Sequence, residues 1–354
     1  MLVLELLKYA TSEPPSSPPD RITTLLDQGH EREVRWVIDA GLGPLLYHAT
    51  RDQFDRVPPE WRDVLLSAEL SAQVRSGNLI DAAIEVIEAC EEAGAPVTLL
   101  KGISISDQYY PAAHLRPMAD IDVLIPRHAY DSVESTLLSR GYCRHETYTP
   151  AEDPHHGIPL FHAERQVWAE LHTTLFPSDD GLRSNQLFSP SQVDTQAIAS
   201  SFHGLPVSRL SDELQIIYIA SSWMRDLTLF KVHPSFLIPL IDAVYLLKAS
   251  PQTLDWGGVE ALLDNDIAAA SLYVMLAYLA RCGLAPCAPA ILSQLASRQH
   301  LVGAIQLRVM HALLERYLIR ARPWNSVLPL PVVGRYSLKT QLRKRWPSQL
   351  FKRP

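Results

Sequence analysis

The chain has 354 residues, 47% of them apolar and 20% charged, with a formal net charge of −7. That length accommodates two or three packed units, and a net negative chain is not one that coats nucleic acid wholesale. Its four cysteines, Cys90, Cys143, Cys282 and Cys287, are scattered and form no CxxC pair, which excludes a zinc knuckle and a disulfide framework and fits a reduced, cytoplasmic protein.

The N-terminal stretch MLVLELLKYATSEPP is broken by Glu5 and Lys8, so it reads as a short helix rather than a leader peptide. A Pro/Ser loop follows, with Asp20 placed to cap the next helix. Val34, Val37, Ile38 and Leu42 fall at helical spacing, as do Leu79, Ala82, Ala83, Val86, Ile87 and Cys90 within a helix predicted from Trp61 to Ala93 and closed by Gly94. The pattern then changes. PVTLLKG (96–102) reads as a buried strand ended by glycine, ISISDQYY as a helix, and DIDVLI (120–125) as a second strand between Pro117 and Pro126. A helix over 127–140 is closed by Gly141, and 142–148, 158–162 and 167–173 read as strands. From Ser211, a helix cap, the chain returns to helix through residue 320. The apolar run 267–280 is fourteen residues long, short of the about 20 that a membrane span takes. Beyond Pro323 the chain is proline-rich and basic. The last 24 residues hold Arg335, Lys339, Arg343, Lys344, Arg345, Lys352 and Arg353 and no acid.

Three features carry chemistry. Asp120 and Asp122 share one face of a strand, about 6.6–7 Å apart at Cα. Two carboxylates that close repel unless a cation lies between them, and Mg²⁺ takes oxygen ligands of this kind while keeping substrate phosphates in its shell. A solvated strand end is the other reading. Gly102 ends a strand and opens a helix, a corner at which backbone amides approach a phosphate, with Lys101 beside it; an ordinary turn is the alternative. In VWAELHTTLF (167–176), Trp168, Glu170 and His172 share a face. Glu170 there is either a third carboxylate of the metal site or part of a solvent-facing edge.

Together, LLKGISI, then LRPMADIDVLI (115–125), then WAELH (168–172) resemble the uncharacterised nucleotidyltransferase family within the DNA-polymerase-beta-like superfamily. The matching residues are Tyr110-Pro111, Arg116-Pro117-Met118, Asp120-Ile121-Asp122 and Glu170-Leu171-His172. GLGPLLYH (41–48), VPPEW (57–61) and LIDAVYLLK (240–248) extend the likeness to about residue 320. The resemblance implies that Asp120, Asp122 and Glu170 bind Mg²⁺, in a two-metal site, and that Glu170 binds metal or acts as general base. It implies that Gly102, Ser104 and Lys101 hold a nucleoside triphosphate such as ATP. A nucleoside monophosphate group would pass to an acceptor, with pyrophosphate released. The chain departs from the wider superfamily in having Gly102-Ile103 where a Gly-Ser or Gly-Gly pair is usual.

Arg116, beside the acidic motif, either grips phosphate bidentately or pairs with a neighbouring acid. His172 either orients a carboxylate or packs structurally. His155, His156 and His162 match no standard zinc spacing. Asp242 faces the nucleotide cleft or pairs with a basic residue, and Arg225 and Lys231 read as a solvated helix end.

The fold expected is α+β: a small mixed β-sheet nucleotidyltransferase core (93–178), between an N-terminal helical region (1–92) and a C-terminal helical region (179–330), followed by a basic tail (331–354). The function expected is nucleotidyl transfer to a small-molecule, sugar or peptide intermediate. The alternatives are transfer to RNA or protein, in which the basic tail would engage nucleic acid, and a non-catalytic nucleotide-binding scaffold.

Overall fold

The computed structural model describes residues 2–11, 19–28, 30–148, 155–176, 188, 190–229, 233–250, 253–263, 265–284 and 289–322. Lys231, Cys287 and the basic tail lie outside them.

The chain begins with helices α1 (Leu2–Thr11), α2 (Pro19–Asp27), α3 (Glu31–Asp39) and α4 (Gly43–Thr50), followed by the long α5 (Pro59–Glu92). Gly94 adopts a left-handed conformation (φ +65°) past the end of α5, the backbone region that glycine enters without a Cβ penalty. Then come β1 (Thr98–Leu99), α6 (Lys101–Tyr109), β2 (Asp120–Leu124), α7 (Tyr130–Ser139), β3 (Tyr142–Arg144), β4 (Leu160–His162) and β5 (Val167–His172). After α8 (Pro190–Gln196), strands β6 (Ala197–Phe202) and β7 (Leu205–Leu210) precede α9 (Asp212–Leu229), α10 (Ile238–Ala249), α11 (Trp256–Leu262), α12 (Asp266–Arg281), α13 (Pro289–Arg298) and α14 (Ala304–Leu314). The fold is α+β, as expected. No described helix is long and apolar enough to cross a membrane.

One mixed seven-stranded sheet has the order β3-β4-β5-β2-β1-β7-β6. β2 pairs with β5 in parallel and with β1 in antiparallel, and β1 pairs with β7 in parallel. Ile121, Val123, Ala169 and Leu171 on one sheet face pack with Ala82, Ala83 and Val86 of α5 and Val133 and Leu137 of α7. Strand alternation therefore turns Asp120, Asp122, Glu170 and His172 to the opposite face. A second core unites the N-terminal helices with the later ones, among them Leu6, Leu46, Ile217, Leu240 and Leu276.

Three elements differ from expectation, one being the strand read over 142–148, which ends at Arg144. The strand read over 96–102 shrinks to Thr98–Leu99, because the chain turns sharply at Lys101, whose φ is +43°, and enters α6 at once. Within the span read as C-terminal helical region, 197–210 forms a β-hairpin that completes the sheet. Its two-residue turn, His203-Gly204, has positive φ at both positions (+48° and +88°), the requirement of a tight hairpin turn.

Candidate active site

Neighbouring strands β2 and β5 set the site. Their parallel register places Asp122 opposite Glu170, and Leu124 opposite His172. His172, fully buried, donates from Nε2 to Asp122 Oδ1 at 2.7 Å and lies 3.5 Å from Glu170 Oε2. Ligand atoms of Asp122, Glu170 and His172 all lie within 4.8 Å of one another. Asp120 stands outside that group but on the same strand face. Lys101, from the corner before α6, places its ammonium 2.6 Å from Asp122 Oδ1.

The electrostatics follow from these contacts. Burial alone would raise the Asp122 carboxyl; Lys101 and the His172 hydrogen bond overcome it and hold the group well below the usual carboxylate range. Asp120 is pushed up to about 7, first by burial and then by Asp122, which together outweigh Lys101 and His172. Burial would lower Lys101, yet Asp122, with Tyr218, Asp120 and Glu170, carries it above the usual lysine range. Glu170 is held below its ordinary value despite burial, chiefly by its bond to His172. His172 is raised, because the bonds to Asp122 and Glu170 outweigh burial and the nearby Lys101. The carboxylate oxygens of Asp120, Asp122 and Glu170, on one sheet face, are of the kind a hard divalent ion takes. Lys101 already stands in for part of that positive charge.

A histidine layer borders the cluster. The rings of His155 and His156 each lie 5.2 Å from that of His172, and His156 Nε2 is 3.8 Å from Glu170 Oε2. Burial and the surrounding positive charges push His155 down to about 2, so it stays neutral. His162 lies away from this layer, stacked edge-on against Tyr142.

Not every expected ligand residue joins the cluster. Ser104 is fully buried, and its hydroxyl accepts from Gln108 Nε2 at 2.9 Å. Because α6 starts at Lys101, Ser104 faces inward. Arg116 donates to both carboxylate oxygens of Asp242 on α10, at 2.9 and 2.8 Å, and Tyr110 donates to Asp242 Oδ1 at 2.8 Å. Of the two readings of Arg116 and of Asp242, the pairing is the one present. Gly102 is pressed against the same segment: a Cβ there would lie 2.7 Å from Arg116 Nη1 and 3.0 Å from Met118 Cγ. Its lack of a side chain lets α6 close onto residues 116–118.

One neighbour was not singled out from sequence. Tyr218, buried on α9, is close enough for its hydroxyl to act on Lys101. The signal was a tyrosine hydroxyl inside the apolar run IIYIA (216–220).

No curated protein matches the chain. Residues 27–283 match the family described as uncharacterised nucleotidyltransferase, and with most of its length covered the protein belongs to that family.

Proposed function

We propose that the protein is a Mg²⁺-dependent nucleotidyltransferase that moves a nucleoside monophosphate group from a nucleoside triphosphate to a hydroxyl or phosphate of an acceptor. The acceptor class is a small-molecule, sugar or peptide biosynthetic intermediate. The observation that carries this reading is the register of β2 and β5, which brings Asp122, Glu170 and His172 together beneath Lys101. Family membership supports it.

Asp120, Asp122 and Glu170 would hold the metal, which when bound neutralises charge developing on the transferring phosphoryl group. Lys101 and the amide end of α6 at Gly102 bind the triphosphate, where an ammonium and unpaired helix N–H groups meet negative charge. Ser104 and Arg116 act by keeping α6 and the 116–118 segment in place. The acceptor oxygen forms a bond to the α-phosphorus, the bond from that phosphorus to the bridging oxygen breaks, and pyrophosphate leaves with that oxygen. Where the acceptor is a hydroxyl, its proton passes to Glu170, whose carboxylate is kept ionised by His172; a phosphate oxyanion attacks without that transfer. His172 orients Asp122 and Glu170 together.

Calorimetric titration of ATP, GTP, CTP and UTP with Mg²⁺, into the protein and into Asp120→Asn/Asp122→Asn, tests the proposal. Binding of a nucleotide that requires both metal and aspartates is expected. Binding of none, or binding indifferent to the aspartates, would count against it.

A further inference from the structure

α9 carries polar side chains where a buried helix is normally apolar. Gln215, Tyr218 and Ser221 are 0%, 1% and 2% exposed. Among the described residues, both amide atoms of Gln215, the Tyr218 hydroxyl and the Ser221 hydroxyl have no hydrogen-bond partner. Buried polar side-chain atoms are nearly always paired, and each exception calls for an explanation. Here four such atoms belong to three residues at three-residue intervals on one helix, which sets them along one stripe. The other side of α9, with Ile216, Ile219, Ala220, Trp223 and Leu227, is buried and apolar. The stripe therefore did not arise from a generally polar helix.

Tyr218, in the middle of the stripe, borders the acidic cluster. Burial pushes the Tyr218 hydroxyl up to about 12, and Lys101, Asp122, Arg225 and Glu170 are all near enough to act on it. Arg225, one turn beyond Ser221, also acts on His155. From Gln215 to Ser221 the helix rises about 9 Å, at 1.5 Å per residue, a span comparable with a nucleoside. A carboxamide with its oxygen and its NH₂ both unused complements an adjacent donor and acceptor, the pattern on a nucleobase edge.

We infer that this buried stripe of α9 recognises the nucleoside of the donor triphosphate, with the Gln215 amide reading the edge of the base and Tyr218 and Ser221 bonding the rest. The inference rests on the donor reading above. Phosphates drawn to Lys101 and the carboxylate-bound metal leave the nucleoside within a turn or two of Tyr218. The groups that lack partners in the free protein find them in the ligand.

The test uses Gln215→Leu, Tyr218→Phe and Ser221→Ala in the full chain, with Gln215→Glu as a near-isosteric second variant. Each is titrated with the four nucleoside triphosphates and with inorganic tripolyphosphate, all with Mg²⁺, and melted without ligand. The wild-type protein is expected to rank the four nucleotides. Gln215→Leu should lose about 10-fold affinity for the preferred one and flatten the ranking, with tripolyphosphate binding unchanged. The free variants should melt at or above the wild-type temperature, since an unpaired buried group has been removed. Unchanged ranking in every variant, or equal loss for tripolyphosphate and nucleotide, overturns the inference and leaves the donor reading intact. Wild-type protein that binds neither nucleotide nor tripolyphosphate overturns both.

Discussion

Lys101 and Asp122 meet inside the site, the ammonium 2.6 Å from a carboxylate that is 2% exposed. The side chain of Lys101 is itself 36% exposed, so one end of this pair can turn towards solvent or a phosphate while the other cannot. Under the proposed function, the ammonium would compete with a metal for Asp122 and would be released to phosphate once a metal took its place. Lys101→Met should raise the affinity for Mg²⁺ without nucleotide by about 3–10-fold, an effect on the order of 1 kcal/mol, and should lower nucleotide affinity. Calorimetry with Mg²⁺ alone and with Mg²⁺ plus nucleotide separates the two effects. Weaker metal binding in the variant would mean that the ammonium does not compete.

Asp122→Asn and Glu170→Gln preserve shape and remove charge. Each should lower nucleotidyl transfer by about 100-fold or more, equivalent to about 3 kcal/mol of barrier, in a protein whose circular dichroism spectrum is unchanged. A Glu170→Gln enzyme within a few-fold of wild type would exclude that residue as proton acceptor.

The Arg116–Asp242 pair joins the segment before β2 to α10, and its side chains are 10% and 3% exposed. Removing one member strands a buried charge. Asp242→Leu should destabilise the protein by about 3–5 kcal/mol, whereas Arg116→Met/Asp242→Leu should recover much of that loss. Urea unfolding of the two single variants and the double variant gives the coupling. Additive losses would show that the pair is not a unit.

Gly102→Ala tests close approach rather than backbone freedom, since the obstacle is the 2.7 Å gap to Arg116 Nη1. The variant should lose about 1–3 kcal/mol of stability, as overpacked sites do, and transfer activity should fall further than stability alone explains because Lys101 is the adjacent residue. A variant as active and as stable as wild type would show that α6 can shift freely.

Much of the site was legible because strand alternation is simple. Asp120 with Asp122, and Glu170 with His172, were placed on common faces by spacing alone, and the structure keeps both pairs. Their pairing across β2 and β5 was not legible, since nothing in a single chain says that strands some fifty residues apart run in parallel. Ser104 was given to the triphosphate by the family resemblance; α6 begins at Lys101, and Ser104 is fully buried on it. The 197–210 hairpin was missed because its outer strand shows no clean apolar alternation. Ile198 is exposed, as are Ala199 and Ser201, and only the His203-Gly204 dipeptide marked the turn. Arg116 and Asp242 were each given two readings, and only the fold could bring two residues 126 positions apart into contact.

The pairing of β1 with β7, in which Leu99 meets Arg209, carries a consequence for biosynthesis. The ribosome releases the carboxylate strands well before it releases β7 and α9. Until those later segments emerge, the sheet has an open edge at β1 and the helix that carries Tyr218 is missing. Nucleotide binding should therefore appear late on the nascent chain, only after α9 has cleared the exit tunnel, and ribosome-bound intermediates stalled earlier should fail to retain the nucleotide.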